Sequence, residues 1–477
     1  MSEAAPPRVL FVTGKLAEPA LRKVVAELGP AVLGEIAVLR ITVAALMTTA
    51  WIARFLQVPA GTDLILIPGL CEGDLEVLRE RFGTRVDKGP KDLRDIPRYF
   101  GQAAAAIDYG THRIEILAEI NNAPRLPREA VAAAAAYFRA SGADIIDVGC
   151  TPGVPFPDLG EVVRGLRRDG YRVSVDSFDP GEIAAAVEAG AELVLSVNGT
   201  NLDAARSLAG TGVRAVVIPD FGEGLETLER NIAALEGWGV PLLVDPVIEP
   251  VGFGFMASLE RYAEMHRRRP ELEQLMGIGN ITELTSADTT GVNALLIAIC
   301  EEVGVRAVLT TEVIPWARGS VREIDVARRL MHYAVRHRAL PKGVDDRLLT
   351  VKDPRILEYG EAELRALHAA VTDPNFRIFT DRDTITVFND EIFVRGTDPQ
   401  EIFARLGVDE ATHAFYLGRE LMKAKLAITL GKTYRQEGSL QWGYLTPPDD
   451  VRAEHVKLTQ RRRRRPPAPR SDDPEAE

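Results

Sequence analysis

Acids and amides recur in this chain at one kind of place, the last residues of short apolar runs. RIEILAEI (113–120) ends around Glu119 and leads to Asn121 and Asn122. DIIDVG (144–149) carries Asp147, RVSVDS (172–177) carries Asp176 and Ser177, and LVLSVN (193–198) carries Ser196 and Asn198. RAVVIPD (214–220) ends in Asp220, and PLLVDP (241–246) holds Asp245 with Glu249 just beyond. LMGIGN (275–280) ends in Asn280 with Glu283 beyond, and RAVLTTE (306–312) ends in Glu312. A single Asp at such a place is as often a turn or cap residue as a ligand; Asp179, opening DPGEIAAAVEAG, reads as a helix N-cap. A whole ring of them is different, because each unpaired buried charge is costly. A bound group offering N–H donors or a cation would offset that cost. A carboxylate accepts two parallel N–H bonds from an amidine-like edge, and Asn121, Asn198 and Asn280 can donate or accept against other ring atoms. A flat, nitrogen-rich heterocycle such as a pterin has that edge in its 2-amino group and ring N–H. Asn121 and the Asp residues could instead hold Mg²⁺ through oxygen.

The missing residue types narrow the chemistry. Between 113 and 341 there is no lysine, which excludes a Schiff base on that segment. His112 precedes the first run, and His266, His332 and His337 fall in helical stretches, so a His-ligated metal and a His general base are unfavoured. Cys150 follows the second run without a neighbouring His or Lys and reads as a small apolar residue rather than a reactive thiol.

The elements that must carry these residues repeat. Each of the eight runs is followed by a helical pattern, such as PREAVAAAAAYFRASG (127–142) or TTGVNALLIAICEEVG (289–304), and several of these stop at glycine. Eight strand–helix units in roughly 225 residues match a (β/α)8 TIM barrel, with a doubly wound sheet as the alternative. Barrel enzymes work at the C-terminal ends of their strands, where the acids and amides lie. Before the barrel, residues 1–110 alternate RVLFVTG (8–14), EIAVLRI (35–41) and DLILIPG (63–69) with amphipathic stretches, as in a small Rossmann-like α/β layer. The turn VTGKLAEPAL has neither a GxGxxG nor a Walker spacing, so a cap or assembly role is favoured there over nucleotide binding. The barrel is expected over 113–340 and a C-terminal α+β domain over 350–460. The latter holds strands FRIFTD (376–381), TITVFND (384–390) and EIFVRG (391–396), then a long helix near 411–431. The tail 461–477, with five arginines before an acidic end, is expected to be disordered.

The composition is that of a globular protein, 46% hydrophobic and 26% charged, and 477 residues suggest two to four domains. A net charge of −12 argues against a nucleic-acid partner. Three distant cysteines suit a reducing, cytoplasmic setting. ITVAALMTTAWIARFL (41–56) holds Arg54 and reads as a buried helix, so no membrane segment is expected.

EINNAP, then SGADIIDVG, then VSVDS before DPGEI, then LLVDP, resembles the pterin-binding barrel of dihydropteroate synthases. The same segments are similar to the methyltetrahydrofolate-binding barrel of corrinoid methyltransferases. The whole layout resembles the dihydropteroate synthase-related proteins of methanogens and methylotrophs, associated with tetrahydromethanopterin. The resemblance puts Asn121 where the synthase asparagine meets diphosphate and Mg²⁺, and Asp147, Asp176 and Asp245 where acids line the pterin. Asn121 and Asp176 would be catalytic, and Asn198 and Asn280 would bind substrate. The departures are specific. CTPGVP replaces a Ser-Thr-Arg loop, GIGN replaces a Ser-Arg-Lys run, and VLTTE lacks the Arg and His of the last synthase strand. DPVIEP and GIGNITEL are closer to the methyltransferases, whose asparagine Asn280 matches. What the resemblance implies is a transferase joining a hydroxymethyl-dihydropterin diphosphate to an arylamine, in tetrahydromethanopterin or folate biosynthesis. The alternatives are a methyl-tetrahydropterin methyltransferase and a non-catalytic pterin-binding protein. The partners would be small molecules, and the chain could pair as a homodimer.

Overall fold

The computed structural model describes residues 6–91, 93–102 and 108–446. The chain divides into two units, Met1–Leu348 and Leu349–Glu477. The first opens with four parallel strands, β1 (Arg8–Gly14), β2 (Leu33–Leu39), β3 (Leu64–Ile67) and β4 (Arg85–Lys88), in the order β2-β1-β3-β4. The charged run RVDK of β4 carried no strand pattern in the sequence. The expected helix over 41–56 is instead a 3-10 turn at Ala44–Leu46 followed by a helix at Thr49–Phe55. Thr48 breaks the run by capping Trp51 N at 3.2 Å, and only Thr49 and Ile52 of the helix are buried.

Eight parallel strands then close into a barrel: β5 (Glu115–Ile120), β6 (Ile145–Gly149), β7 (Arg172–Asp176), β8 (Leu193–Val197), β9 (Arg214–Val217), β10 (Leu242–Val244), β11 (Gln274–Gly277) and β12 (Val305–Thr310). The (β/α)8 architecture is the one the repeated units predicted. Both faces of each strand are covered, so the runs are apolar throughout, but their two faces pack differently. Ile116, Ala118, Ile146, Val148, Val173 and Val175 face the surrounding helices. Leu117, Ile145, Leu193, Val216, Leu243, Leu275 and Ala307 meet one another inside the barrel. Since side chains alternate along a strand, the inward positions of β5 read Glu115, Leu117, Glu119, and those of β7 read Arg172, Ser174, Asp176. The interior is therefore an apolar belt between two charged layers, one at each mouth.

In the second unit, β13 (Arg377–Thr380), β14 (Ile385–Phe388) and β15 (Phe393–Gly396) form an antiparallel sheet, and Leu417, Leu421 and Ala424 of the helix Ala411–Leu430 pack in its core. The expected tail 461–477 lies outside the described residues. Among the described residues no helix is long and apolar enough to cross a membrane.

Candidate functional site

The layer at the C-terminal mouth is built from four inward carboxylates. Glu119 pairs in register with Asp147 across β5 and β6, and Asp176 pairs with Gly149 across β6 and β7. Glu119 leans over Gly149 so closely that a Cβ there would sit 2.3 Å from Glu119 Oε1. Gly149 thus leaves the space that the glutamate fills. Asn121 Nδ2 donates to that same Oε1 at 2.9 Å. Asp147 is fully buried; Ser174 Oγ donates to its Oδ1 at 2.6 Å, and Oδ2 has no partner. Burial, then the neighbouring Glu119 and Asp176, push the Asp147 carboxyl well above the usual range. Burial, with Asp176 and Glu283 nearby, raises Glu119 to about 7, and burial raises Asp176 to about 6. Among the described residues no cation bears on any of these three.

Asp245, one residue past β10, completes the layer. Tyr262 OH and Val247 N, the latter at 2.7 Å, both donate to its Oδ1. Burial still lifts its carboxyl to about 6, against the opposing pull of those donors and of Arg261. Tyr262 arrives because the helix Phe255–Arg268 turns Ser258, Tyr262 and Met265 inward, one per turn. Val247 stands at φ 62°, a conformation costing a β-branched residue about 1–3 kcal/mol. Its N–H is tied to Asp245 and its carbonyl accepts from Arg261 Nη2 at 2.7 Å. Arg261 Nε also donates to Pro246 O at 3.2 Å, so this arginine braces the loop.

Asn198 adds an amide. Its Oδ1 accepts from Thr200 N at 2.9 Å and Thr200 Oγ1 at 2.6 Å, and the backbone N–H fixes which end of the amide is oxygen. Nδ2, in a residue with no exposed surface, has no partner. Two orphaned buried polar atoms, Asp147 Oδ2 and Asn198 Nδ2, therefore stand in one mouth as an acceptor and a donor.

The remaining candidates are engaged elsewhere. Asp220 accepts from Gly199 N at 2.7 Å, from Asn231 Nδ2 at 3.0 Å and from Arg230, and these partners hold its carboxyl below the usual range. Glu312 accepts from Tyr137 OH at 2.9 Å and Val321 N at 3.1 Å. Asn280 is not a strand end, as expected, but lies in the short helix Gly279–Thr282, exposed, its Nδ2 donating to Ile248 O at 3.0 Å. The chain turns there because β11 stops at Gly277. Asn122 stands at φ 52° and its Oδ1 accepts from Thr151 Oγ1 at 3.1 Å, which ties the loops after β5 and β6. Cys150 is half-buried, and burial with Glu182 beside it pushes its thiol up.

Sequence reasoning passed over Ser174 and Tyr262; it placed Glu283 just beyond Asn280. Glu283 accepts from Thr311 Oγ1, and burial pushes its carboxyl up. Parity along RVSVD would have shown Ser174 facing inward with Asp176, whereas Tyr262 is a long-range partner with no local signal. As for Mg²⁺, Asn121 keeps one amide oxygen, but among the described residues no three His, Cys, Asp or Glu side chains are grouped to hold a metal. Mg²⁺ would therefore enter this mouth only as the counter-ion of a diphosphate substrate.

Residues 124–231 match the family model described as pterin binding enzyme, a span that holds Asp147, Asp176 and Asn198. Residues 375–437 match PterinBD-DUF4346, and residues 7–91 match a family of unknown function. An uncharacterized protein of Methanocaldococcus jannaschii is 28% identical over 522 residues, covering 91% of this chain and 99% of its own length. Among solved structures, the chain is similar to a dihydropteroate synthase of Yersinia pestis (20% identity, TM-score 0.39). It is also similar to one of Coxiella burnetii in complex with pteroic acid (17%, TM-score 0.40). Each alignment covers 47% of this chain and 94% of the synthase.

Proposed function

We propose that the C-terminal mouth binds a reduced pterin and that the protein is a transferase of the dihydropteroate synthase type. The reaction would join a hydroxymethyl-dihydropterin diphosphate to an arylamine in tetrahydromethanopterin or folate biosynthesis. One observation carries the binding: the buried carboxylates of Glu119, Asp147 and Asp176 and the orphaned amide of Asn198 gather where, among the described residues, no cation offsets the acids, and the pterin-binding family match spans three of these four. The 2-amino group and ring N–H donate to a carboxylate, Asp245 or Asp176. Asn198 Nδ2 donates to a ring acceptor, and Asp147 Oδ2 accepts from a further N–H. The protein's part in the transfer is to hold the two reactants in line and exclude water; the amine nitrogen forms the new C–N bond as the C–O bond to diphosphate breaks, the diphosphate leaving with the electron pair and the nitrogen's extra proton passing to solvent.

A second reading has its own support. A diphosphate wants cations, and the arginines near the mouth are engaged: Arg128 pairs with Asp158 and Glu161, and Arg261 with backbone carbonyls. Arg125 and Arg318, both exposed, are the groups left for a leaving group. A methyl-tetrahydropterin, with no diphosphate, would suit an all-acid mouth better. Calorimetric titration with a hydroxymethyl-dihydropterin diphosphate and, separately, a methylated tetrahydropterin discriminates these. Diphosphate release on adding an arylamine supports the synthase reaction. Tight binding of the methylated compound alone supports the second reading, and binding of neither pterin ends both.

A further inference from the structure

A cavity of about 240 Å³ opens at the carboxyl ends of β1 and β3, well apart in sequence from the barrel acids. The order β2-β1-β3-β4 makes this the switch point of the N-terminal sheet, where the chain leaves β1 to one side and β3 to the other. Open parallel sheets take their ligands in that crevice. Here its wall is apolar: Val12, Leu21, Leu66 and Ile96 line it, with Leu16, Val43 and Leu70 exposed around it. The loops after β3 and β4 meet so closely that a Cβ on Gly69 would lie 2.4 Å from Gly89 O, so bare backbone forms part of the lining. One further wall residue, Leu340, comes from just past the last barrel helix, Ser320–His337. Lys23 Nζ holds that helix end by donating to His337 O at 3.1 Å.

Charge distinguishes this crevice from the barrel mouth. The chain has no lysine from 113 to 341, yet Lys15 and Lys91 follow β1 and β4, Lys88 ends β4, and all three are exposed. Lys91 is itself a lining residue. We propose that the crevice binds a small molecule with a flat apolar body of one or two rings and an anionic group held by Lys91. The volume, just under the about 300–1,000 Å³ of drug-sized sites, sets that size. The apolar wall selects the body, and Lys91, the one lining cation among the described residues, selects the charge. This assigns the N-terminal layer a binding role independent of the pterin reading.

Fluorescence titration of the full chain tests it, with 1-anilinonaphthalene-8-sulfonate and its uncharged relative N-phenyl-1-naphthylamine as probes. One saturable equivalent of each is expected. Lys91→Glu should weaken the sulfonate about fivefold and leave the neutral probe within about twofold. Leu16→Asp, on the exposed rim and so harmless to the core, should weaken both, as should Ala45→Trp, which fills the cavity from its lining. Asp245→Asn should change neither, which separates this site from the barrel. Absence of saturable binding overturns the proposal, as does unaltered binding of both probes to the Leu16 and Ala45 variants. Equal sensitivity of the two probes to Lys91→Glu overturns the anionic part.

Discussion

The two mouths of the barrel use the same strands and opposite electrostatics. At the N-terminal mouth, Glu115 of β5 and Arg172 of β7 pair directly. Arg172 Nε also donates to Glu192 at 2.8 Å, and Arg214 reaches Glu273 at 3.5 Å, around a cavity of about 560 Å³. Every glutamate there has an arginine. Four residues further along the same two strands stand Glu119 and Asp176, and with Asp147 they have none. The N-terminal layer is paired but for Arg306 Nη1, which is buried at the same cavity without a partner, and its ion pairs hold the strands in place; an unpaired acid layer raises the energy of the empty protein and lowers it again when donors arrive. On the proposed reading, binding sits at one end and stability at the other, as is general for this architecture.

The comparison breaks most sharply at Asp245. Asp245→Asn keeps shape and removes charge, so pterin affinity should fall more than about tenfold, a lost charge-assisted bond being worth about 1.5–3 kcal/mol. The melting temperature should hold or rise, because a buried carboxylate has been neutralised. Unchanged affinity in calorimetry removes Asp245 from the site. Arg172→Met at the other mouth should do the reverse. It leaves Glu192 without its partner and Glu115 with only Arg214 at 3.9 Å, and should cost about 1–2 kcal/mol of stability, discounted because the pair is partly solvated. Pterin affinity should not move. Denaturant unfolding and titration of the same two variants give a crossed pattern, and a parallel one would sink the division of labour.

Acidity sharpens the contrast. Glu119, Asp176 and Asp245 have higher pKa values folded than unfolded, so the fold binds their protons more tightly than the unfolded chain does. Their contribution is complete below about pH 4 and is lost as pH rises through 6 to 7. The ligand-free protein should melt several degrees higher at pH 5 than at pH 8, by about 2–4 °C per kcal/mol. Asp176→Asn should flatten that slope, and saturating pterin should shrink it. A melting temperature that rises with pH across this window in the wild type, and equally in Asp176→Asn, would contradict the unpaired layer.

Much of this was legible before any coordinates. Short apolar runs followed by helical patterns place the strands within about three residues, and β1 falls where RVLFVTG does. Asp147, Asp176, Asn198 and Asp245 were named from their places at strand ends, and the structure brings them to one mouth. What failed was local. LMGIGN reads as one apolar run, but Gly277 and Gly279 let the chain turn into a helix, and Asn280 moves to the surface. RVDK has no apolar repeat because β4 is an edge strand, with one face only half covered. Which way Glu119 faces depends on a register that the sequence alone does not give; parity with Leu117, an interior residue, supplies it. Tyr262 lies 17 residues from Asp245 and meets it only through tertiary packing.

Tyr262→Phe is the smallest and most specific of these perturbations. The phenol is wholly buried, and burial with the Asp245 carboxylate beside it holds its proton far above the usual range. It therefore stays a donor at every pH at which the protein folds. Its removal leaves Asp245 with the Val247 and Gly277 backbone N–H groups and the distant Arg261, so the carboxyl should titrate higher than its present value of about 6. At pH 8 the acid is ionised in both proteins, and pterin affinity should differ by less than about threefold. Near pH 6.5 the variant carries the extra proton, which must leave before the carboxylate can accept the pterin edge, and the gap should widen. An affinity ratio that stays flat between pH 8 and pH 6 would mean that Tyr262 only fills space and that Asp245 binds without changing its charge.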